Sequence, residues 1–345
     1  MKILLGLSGG VDSTYATLKL KREGHTVEGA TLVMHEHTEL SEARESAASL
    51  GIPLHVIDCT EQFEKIVKSN LVNEYLNART PNPCVICNSE IKFIYLLEYA
   101  EQHGFDAIAT GHYASVRKIY DGDSVRYAIA RGKDKRKDQT YMLWRLPQSV
   151  LSKLILPLSD MTKDEIRADS RDSGLKAAER SDSQEICFIP DGDYAAYIES
   201  RAGKSETGSF VDENGKVLGQ HKGIIHYTVG QRKGLGISAP TRIFVTKIDP
   251  ELNTVTLSPN DSYAKKVKIS GIVYSGMKEA QYGERRSLHV KLRYAAPAVP
   301  CEAVFYQDTA EITLSEPVRA VTPGQSAVLY DNDMIVAGGF IDFAE

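Results

Sequence analysis

The chain has 345 residues, 42% hydrophobic and 25% charged, with Gly 26 and Pro 13 near ordinary usage; at roughly 150 residues per domain this predicts two to three folded domains and excludes a disordered or collagen-like polymer. Its 41 Lys and Arg stand against 46 Asp and Glu, a formal net charge of −5, so no global field draws it to nucleic acid and any RNA-binding surface must be local. Five cysteines are an odd number, which speaks against a disulfide framework and for thiol chemistry or metal ligation in a reducing compartment.

The first apolar run, Ile3 to Leu7, contains Gly6 and is too short for a signal segment or a membrane span, which predicts a cytoplasmic protein with no membrane contact. Lys2 to Leu7 reads as a strand, Ser8-Gly9-Gly10 as a turn, and Val11 to Glu23 as a helix stopped by Gly24, with Val11, Tyr15 and Leu18 at helical spacing. Strand Val27 to Met34, helix Glu39 to Leu50, strand Leu54 to Asp58 and helix Gln62 to Asn77 continue the alternation. An irregular stretch, Arg79 to Asn88, precedes a helix from Glu90 to His103 and a strand from Ala107 to Thr110. Strands alternating with helices predict an α/β domain built on a doubly wound parallel sheet. Beyond residue 190 the texture becomes all-β: Glu213-Asn214-Gly215, Gly234-Leu235-Gly236 and Asp331-Asn332 punctuate short runs such as Arg242 to Ile248, Thr254 to Leu257 and Ser287 to Leu292. The change of period sets the expected domains at 1–193, 194–262 (a small central β domain) and 263–345 (a second β-rich domain).

Ser8-Gly9-Gly10-Val11-Asp12-Ser13 lies between the first strand and the first helix, where unpaired backbone N–H groups and the positive helix end form an anion site. No lysine follows the glycines as a Walker loop requires, and the spacing is not G-x-G-x-x-G, so neither an ordinary nucleoside triphosphatase nor a dinucleotide binder fits. The hexapeptide in this context resembles the pyrophosphatase loop of adenylating enzymes, which split ATP between its α- and β-phosphates.

Cys84 and Cys87 lie in Thr80-Pro81-Asn82-Pro83-Cys84-Val85-Ile86-Cys87-Asn88, where two prolines disfavour helix and place Cys87 close to the start of the helix expected near Glu90. A thiol there is expected to have its pKa lowered from about 8.5 into the nucleophilic range. Cys187 sits in Ser181-Asp182-Ser183-Gln184-Glu185-Ile186-Cys187-Phe188, a polar approach without clear period and so a loop fit to carry chemistry. Cys59 and Cys301 read as small buried hydrophobes. A zinc knuckle would need a second ligand pair that the sequence does not offer.

SGGVDS, TPNPCVICNSEIKF, ATGHYA, KDQTYMLWRL, SDSQEICFI, YTVGQRKGLGI, KLRY and TPGQSAVLY occur in this order, and together they resemble the bacterial tRNA-uridine 2-sulfurtransferases, or tRNA 2-thiouridylases, over nearly the whole chain. The resemblance implies a PP-loop domain of the adenine nucleotide alpha hydrolase type, a central β domain and a C-terminal barrel like the second domain of elongation factor Tu. It implies ATP-dependent 2-thiolation of the wobble uridine in tRNAs for lysine, glutamate and glutamine, with ATP bound by Gly6, Leu7, Ser8, Gly9, Gly10, Val11, Asp12, Ser13, Met34 and Gly111. It assigns Cys87 as nucleophile and Cys187 as persulfide carrier. Asn82, Pro83 and Cys84 then face the target base, and His112, Lys137, Asp138, Gln139, Arg293, Tyr294 and Gln325 contact tRNA. Many relatives carry Asp at position 84; the Cys-x-x-Cys present here instead opens the alternative of a [4Fe-4S] cluster held by Cys84, Cys87 and Cys187.

A uridine carbonyl is a poor electrophile, so adenylation of O2 comes first, with loop amides and Mg²⁺ neutralising charge on the departing pyrophosphate and Asp12 as the carboxylate expected to help hold the ion. The terminal sulfur on Cys187 then attacks C2, directly or after Cys87 frees it as hydrosulfide by forming a disulfide with Cys187. The sulfur comes from a partner, either a persulfide relay protein or a cysteine desulfurase. Arg131 to Asp138 (RGKDKRKD) and Lys265, Lys266 and Lys268 are the local basic stripes available for RNA. An amidotransferase lacks an N-terminal cysteine here, while a tRNA-binding factor without thiol chemistry would leave the cysteines unused.

Overall fold

The computed structural model describes residues 1–122, 124–180, 186–239 and 241–345. Strands β1 (Lys2–Gly6), β2 (Thr26–Val33), β3 (Leu54–Asp58), β4 (Ala107–Thr110) and β7 (Leu154–Ile155) form one sheet in the order β3-β2-β1-β4-β7. Every pairing in it is parallel. Ile3, Leu4 and Leu5 of β1 are fully buried, as a central strand covered on both faces by helices must be. The chain leaves β1 toward β2 on one side and reaches β4 on the other, so the loop after β1 stands at the reversal of strand order, where open α/β sheets bind ligands. Helices α1 (Val11–Arg22) and α2 (Ser41–Leu50) follow β1 and β2. The 60–76 helix passes through a π-helical turn, Glu64–Lys68.

Two features depart from the sequence expectation. The helix expected from Glu90 begins at Pro83: Pro83–Ile86, a π-helical Cys87–Lys92 and Phe93–Gln102 follow without a break. Proline is tolerated at the first helical position, where its missing N–H would have no partner, and Asn82 caps the turn by accepting from the Cys84 N–H at 3.1 Å. Pro83 therefore starts the helix instead of preventing it. The first half also contains an antiparallel hairpin, β5 (Ser115–Asp121) with β6 (Ser124–Ala130), that leaves the parallel sheet.

The central region holds β8 (Gly208–Val211), β9 (Val217–His221), β10 (Phe244–Asp249) and β11 (Thr254–Ser258) in the order β10-β11-β8-β9 around Phe210, Val245, Val255 and Leu257. The last six strands, β12 (Tyr263–Tyr274), β13 (Glu284–Lys291), β14 (Val299–Phe305), β15 (Thr309–Arg319), β16 (Ser326–Asp331) and β17 (Met334–Ala344), run β12-β15-β14-β13-β16-β17. Pairing of β12 with β17 closes them into a barrel. β6 pairs with β17 at Met334↔Ala130, so the hairpin extends the barrel's sheet. One apolar cluster spans the seam, holding Phe93, Tyr141, Trp144, Val328, Tyr330 and Ile335. Polar groups inside it are paired: Trp144 Nε1 donates to Ser326 Oγ at 3.0 Å and the Tyr141 hydroxyl to the Ser326 carbonyl at 2.9 Å. Among the described residues no helix is long and apolar enough to cross a membrane.

Candidate active site

The loop Ser8–Gly10 is shaped by its own side chains. Ser13 Oγ accepts from the Ser8 N–H at 3.2 Å and donates to the Gly10 carbonyl at 3.1 Å, and Thr14 Oγ1 donates to the same carbonyl at 2.9 Å. Gly9 has φ +88°, and a Cβ there would stand 2.5 Å from the backbone carbon of Glu42, so only glycine fits. Gly10 caps α1 without any side-chain bond, which leaves the first-turn amides of Val11, Asp12 and Ser13 directed at the loop mouth. Gly111, after β4, packs on this turn: a Cβ would lie 2.8 Å from Asp12 C and Ser13 N. Gly6 and Leu7 lead into the loop, and Met34 follows β2 at the same sheet edge. The ten residues expected for ATP thus stand on the carboxyl ends of β1, β2 and β4, or on the helix that follows β1.

Asp12 was expected to help hold Mg²⁺, and here its oxygens are otherwise engaged. Oδ1 accepts from the Tyr113 hydroxyl at 2.5 Å, and Lys163 Nζ lies 2.9 Å from Oδ1 and 2.8 Å from Oδ2. With Lys163 and Tyr113 in these positions, Asp12 does not stand as the magnesium ligand expected of it. The sequence reading missed Lys163, Tyr113 and Arg180, whose Nη1 donates to the Gly9 carbonyl. The Thr162–Glu165 capping box signals a helix start in the sequence, but nothing there says that its first residue reaches a loop 151 positions earlier.

Cys87 lies against this edge. Its Sγ sits 3.6 Å from Met34 Sδ, in an apolar cluster that also holds Cys59, Phe63, Ile86, Phe188 and Ile189. Phe188 and Ile189 directly follow Cys187, so the segment that bears the second thiol packs into the cluster that holds Cys87, although 100 positions separate the two cysteines in sequence. The Phe188 ring packs edge-on to Phe63 at 5.4 Å and 6.4 Å from His35. All five cysteines are free; Cys84 and Cys187 are exposed, and Cys59, Cys87 and Cys301 are buried. The expected low pKa of Cys87 is corrected: burial pushes its thiol up to about 12. It is the fifth residue of a helix and 7% exposed, so desolvation outweighs the helix end. Although their side chains reach solvent, Cys84 and Cys187 are also raised by the desolvation their dense surroundings impose, while Lys92, another residue the sequence reading overlooked, favours the thiolate at all three. Among the described residues no three His, Cys, Asp or Glu side chains are gathered to hold a metal ion, so the three-cysteine cluster has no ligand set in this conformation.

The residues expected to contact tRNA divide into exposed groups and structural ties. Tyr294 is 40% exposed, in a cleft of about 950 Å³ lined by Arg131, Lys135, Arg136, Lys291 and Asn332. Asp138 lies deeper, its carboxylate 9% exposed, 3.4 Å from Arg131 and 3.8 Å from Lys291, where it orients cations. Lys137 closes a short turn whose cap is the buried Asp134. Gln139 Oε1 accepts from the Tyr113 N–H at 2.8 Å, and Gln325 Nε2 donates to the Thr80 carbonyl at 2.7 Å, tying the segment before Asn82 and Pro83 to the barrel. Arg293 donates to the carbonyls of Ala320 and Val229, joining barrel to central domain. His112 pairs with Thr110 Oγ1 at 2.8 Å, and burial pushes its pKa down to about 3, so it is neutral.

Three family models match in succession: the tRNA methyl transferase HUP domain at residues 1–191, the tRNA methyl transferase PRC-barrel domain at 195–259 and the aminomethyltransferase beta-barrel domain at 264–341. The tRNA-specific 2-thiouridylase MnmA of Acetivibrio thermocellus is 41% identical over 360 residues, covering 99% of each chain. That of Geotalea uraniireducens is 40% identical over 364 residues, covering 99% of this chain and 95% of its own. Among solved structures, a 4-thiouridine synthetase–RNA complex with bound ATP matches 58% of this chain and 50% of its own at 20% identity and a TM-score of 0.37. With a parallel-sheet nucleotide domain, a closed barrel and full-length likeness at this identity, the chain belongs to the family of tRNA-specific 2-thiouridylases.

Proposed function

We propose that this enzyme replaces the C2 oxygen of the wobble uridine of tRNA with sulfur, consuming ATP and releasing AMP and pyrophosphate. The observation that carries the reading is the meeting of two thiol segments, Cys87 and the stretch after Cys187, at the sheet edge occupied by Met34 and the glycine loop. The uncapped amides of α1 are suited to bind phosphates, and Gly9 and Gly111 keep the backbone close enough for them to do so. Uridine O2 attacks the α-phosphorus, pyrophosphate departs with the bridging electron pair, and the N3 proton is lost. C2 then carries AMP as its leaving group.

A sulfur-donor protein first loads Cys187, which is exposed and therefore reachable, as a persulfide. The terminal sulfur attacks C2 and AMP leaves. Cys87, as thiolate, then attacks Sγ of Cys187 and breaks the S–S bond, releasing 2-thiouridine and leaving a Cys87–Cys187 disulfide that an external dithiol reduces. Lys92, whose charge favours all three thiolates, supports this ionisation against the burial that resists it. Asn82, Pro83 and Cys84 at the helix start would face the splayed base, with Tyr294 and the neighbouring basic cleft toward the RNA backbone.

Replacing Cys187 by serine is expected to abolish 2-thiouridine formation while tRNA-dependent pyrophosphate release persists. Mass spectrometry of the digested tRNA and a pyrophosphate assay measure the two halves separately. A Cys187→Ser enzyme that thiolates at the normal rate with a persulfide donor would refute the assignment.

A further inference from the structure

The glycine loop carries no lysine of its own, yet a cation is delivered to it from a distant element. Lys163 is the first residue of the Lys163–Asp172 helix, and its backbone N–H donates to the buried Asp134 at 3.0 Å. Its side chain is 6% exposed, with Nζ 2.8 Å from Asp12 Oδ2 and 5.9 Å from the Tyr113 ring centroid. The Thr162–Glu165 capping box fixes the helix start that bears it. A flexible, rotamer-rich lysine is thereby pinned at the foot of the uncapped turn of α1.

Stability is a weak explanation for this placement, because desolvating two charges offsets most of what their attraction returns. Charge balance during the reaction is a stronger one. The end of α1 offers only about half a positive charge, whereas a departing pyrophosphate carries several negative ones. Arg180, the other cation at the loop, is committed to the Gly9 carbonyl and to Glu45.

We propose that Lys163 is the catalytic cation of the phosphate loop, exchanging Asp12 for the β- and γ-phosphate oxygens when ATP binds. The proposal rests on the ATP-dependent activation described above. As the bond from uridine O2 to the α-phosphorus forms and the bridging bond breaks, its electron pair passes to pyrophosphate. Lys163 neutralises that charge without giving up a proton. Asp12 serves as its holder between turnovers.

Isothermal titration of the tRNA-free enzyme with ATP, inorganic pyrophosphate and AMP, all in EDTA, tests this. Lys163→Gln is expected to weaken ATP and pyrophosphate binding by about tenfold or more, the loss of a charge-assisted hydrogen bond, with AMP affinity unchanged. Lys163→Arg should restore most of the pyrophosphate affinity. Unchanged pyrophosphate binding in Lys163→Gln, or equal losses for AMP and pyrophosphate, would overturn the proposal, the second by making Lys163 a support of the loop. A wild-type enzyme that binds neither ATP nor pyrophosphate, in EDTA or with Mg²⁺ restored, would bring down the ATP reading itself, and this proposal with it.

Discussion

Cys87 joins opposing demands in one side chain. The chemistry proposed for it requires a thiolate, while its surroundings of Met34, Phe63 and Ile86 favour the neutral thiol and push its pKa up to about 12. Because the folded pKa lies above the ordinary value of about 8.5, the thiolate is scarce at neutral pH and grows in as pH rises from there toward 12. Iodoacetamide is therefore expected to modify the exposed Cys84 and Cys187 well before Cys87 near neutral pH, with the Cys87 rate still climbing above about pH 10. Peptide mass spectrometry across a pH series reads this out; a Cys87 rate that levels off near neutral pH would contradict the burial argument. The candidate cysteines are legible in the sequence because motif residues carry them. Their ionisation is not, since it depends on which apolar side chains the fold brings around them.

At the scale of elements, the 83–102 helix carries Cys84, Cys87 and Lys92 within its first turns, and its start decides where they stand. Asn82 fixes that start through the bond it accepts from the Cys84 N–H. Asn82→Ala is expected to lower the unfolding free energy by about 1 kcal/mol, measured by urea denaturation, as the loss of a cap should. The alternation of strands and helices was visible in the sequence because β1 to β4 are apolar runs punctuated by Gly24, Gly51 and Gly104. The helix start was misplaced because Pro81 and Pro83 were read as breakers, when Pro83 occupies the one helical position that suits it. The β5–β6 hairpin has a local signal, two β-prone runs about Asp121-Gly122, but its departure from the parallel sheet to join β17 does not, because Met334 lies some two hundred residues beyond Ala130.

Across the whole molecule, a net charge of −5 coexists with a cleft between the nucleotide domain and the barrel where Arg131, Lys135, Arg136 and Lys291 gather. Much of the RGKDKRKD run is neutralised at home: Lys133 pairs with Glu165, Arg136 with Asp164, and Arg131 with Asp138 and Asp333. The Arg136 pair is largely exposed, so it constrains little and can yield to phosphate. Replacing Lys135 and Arg136 together by serine is expected to weaken tRNA binding uniformly and to make the plot of log affinity against log salt shallower by about two. Filter binding over a salt series measures it; an unchanged slope would mean the RNA backbone passes elsewhere.

The stitching of β6 to β17, with Trp144 seated where Gly338 leaves room for its ring, has a consequence for biogenesis. During translation the nucleotide domain precedes the barrel and must keep Tyr141 and Trp144 uncovered until β16 and β17 leave the ribosome. Burial of these aromatic rings is thereby coupled to the synthesis of β16 and β17, and products terminated before those strands would present an open aromatic seam.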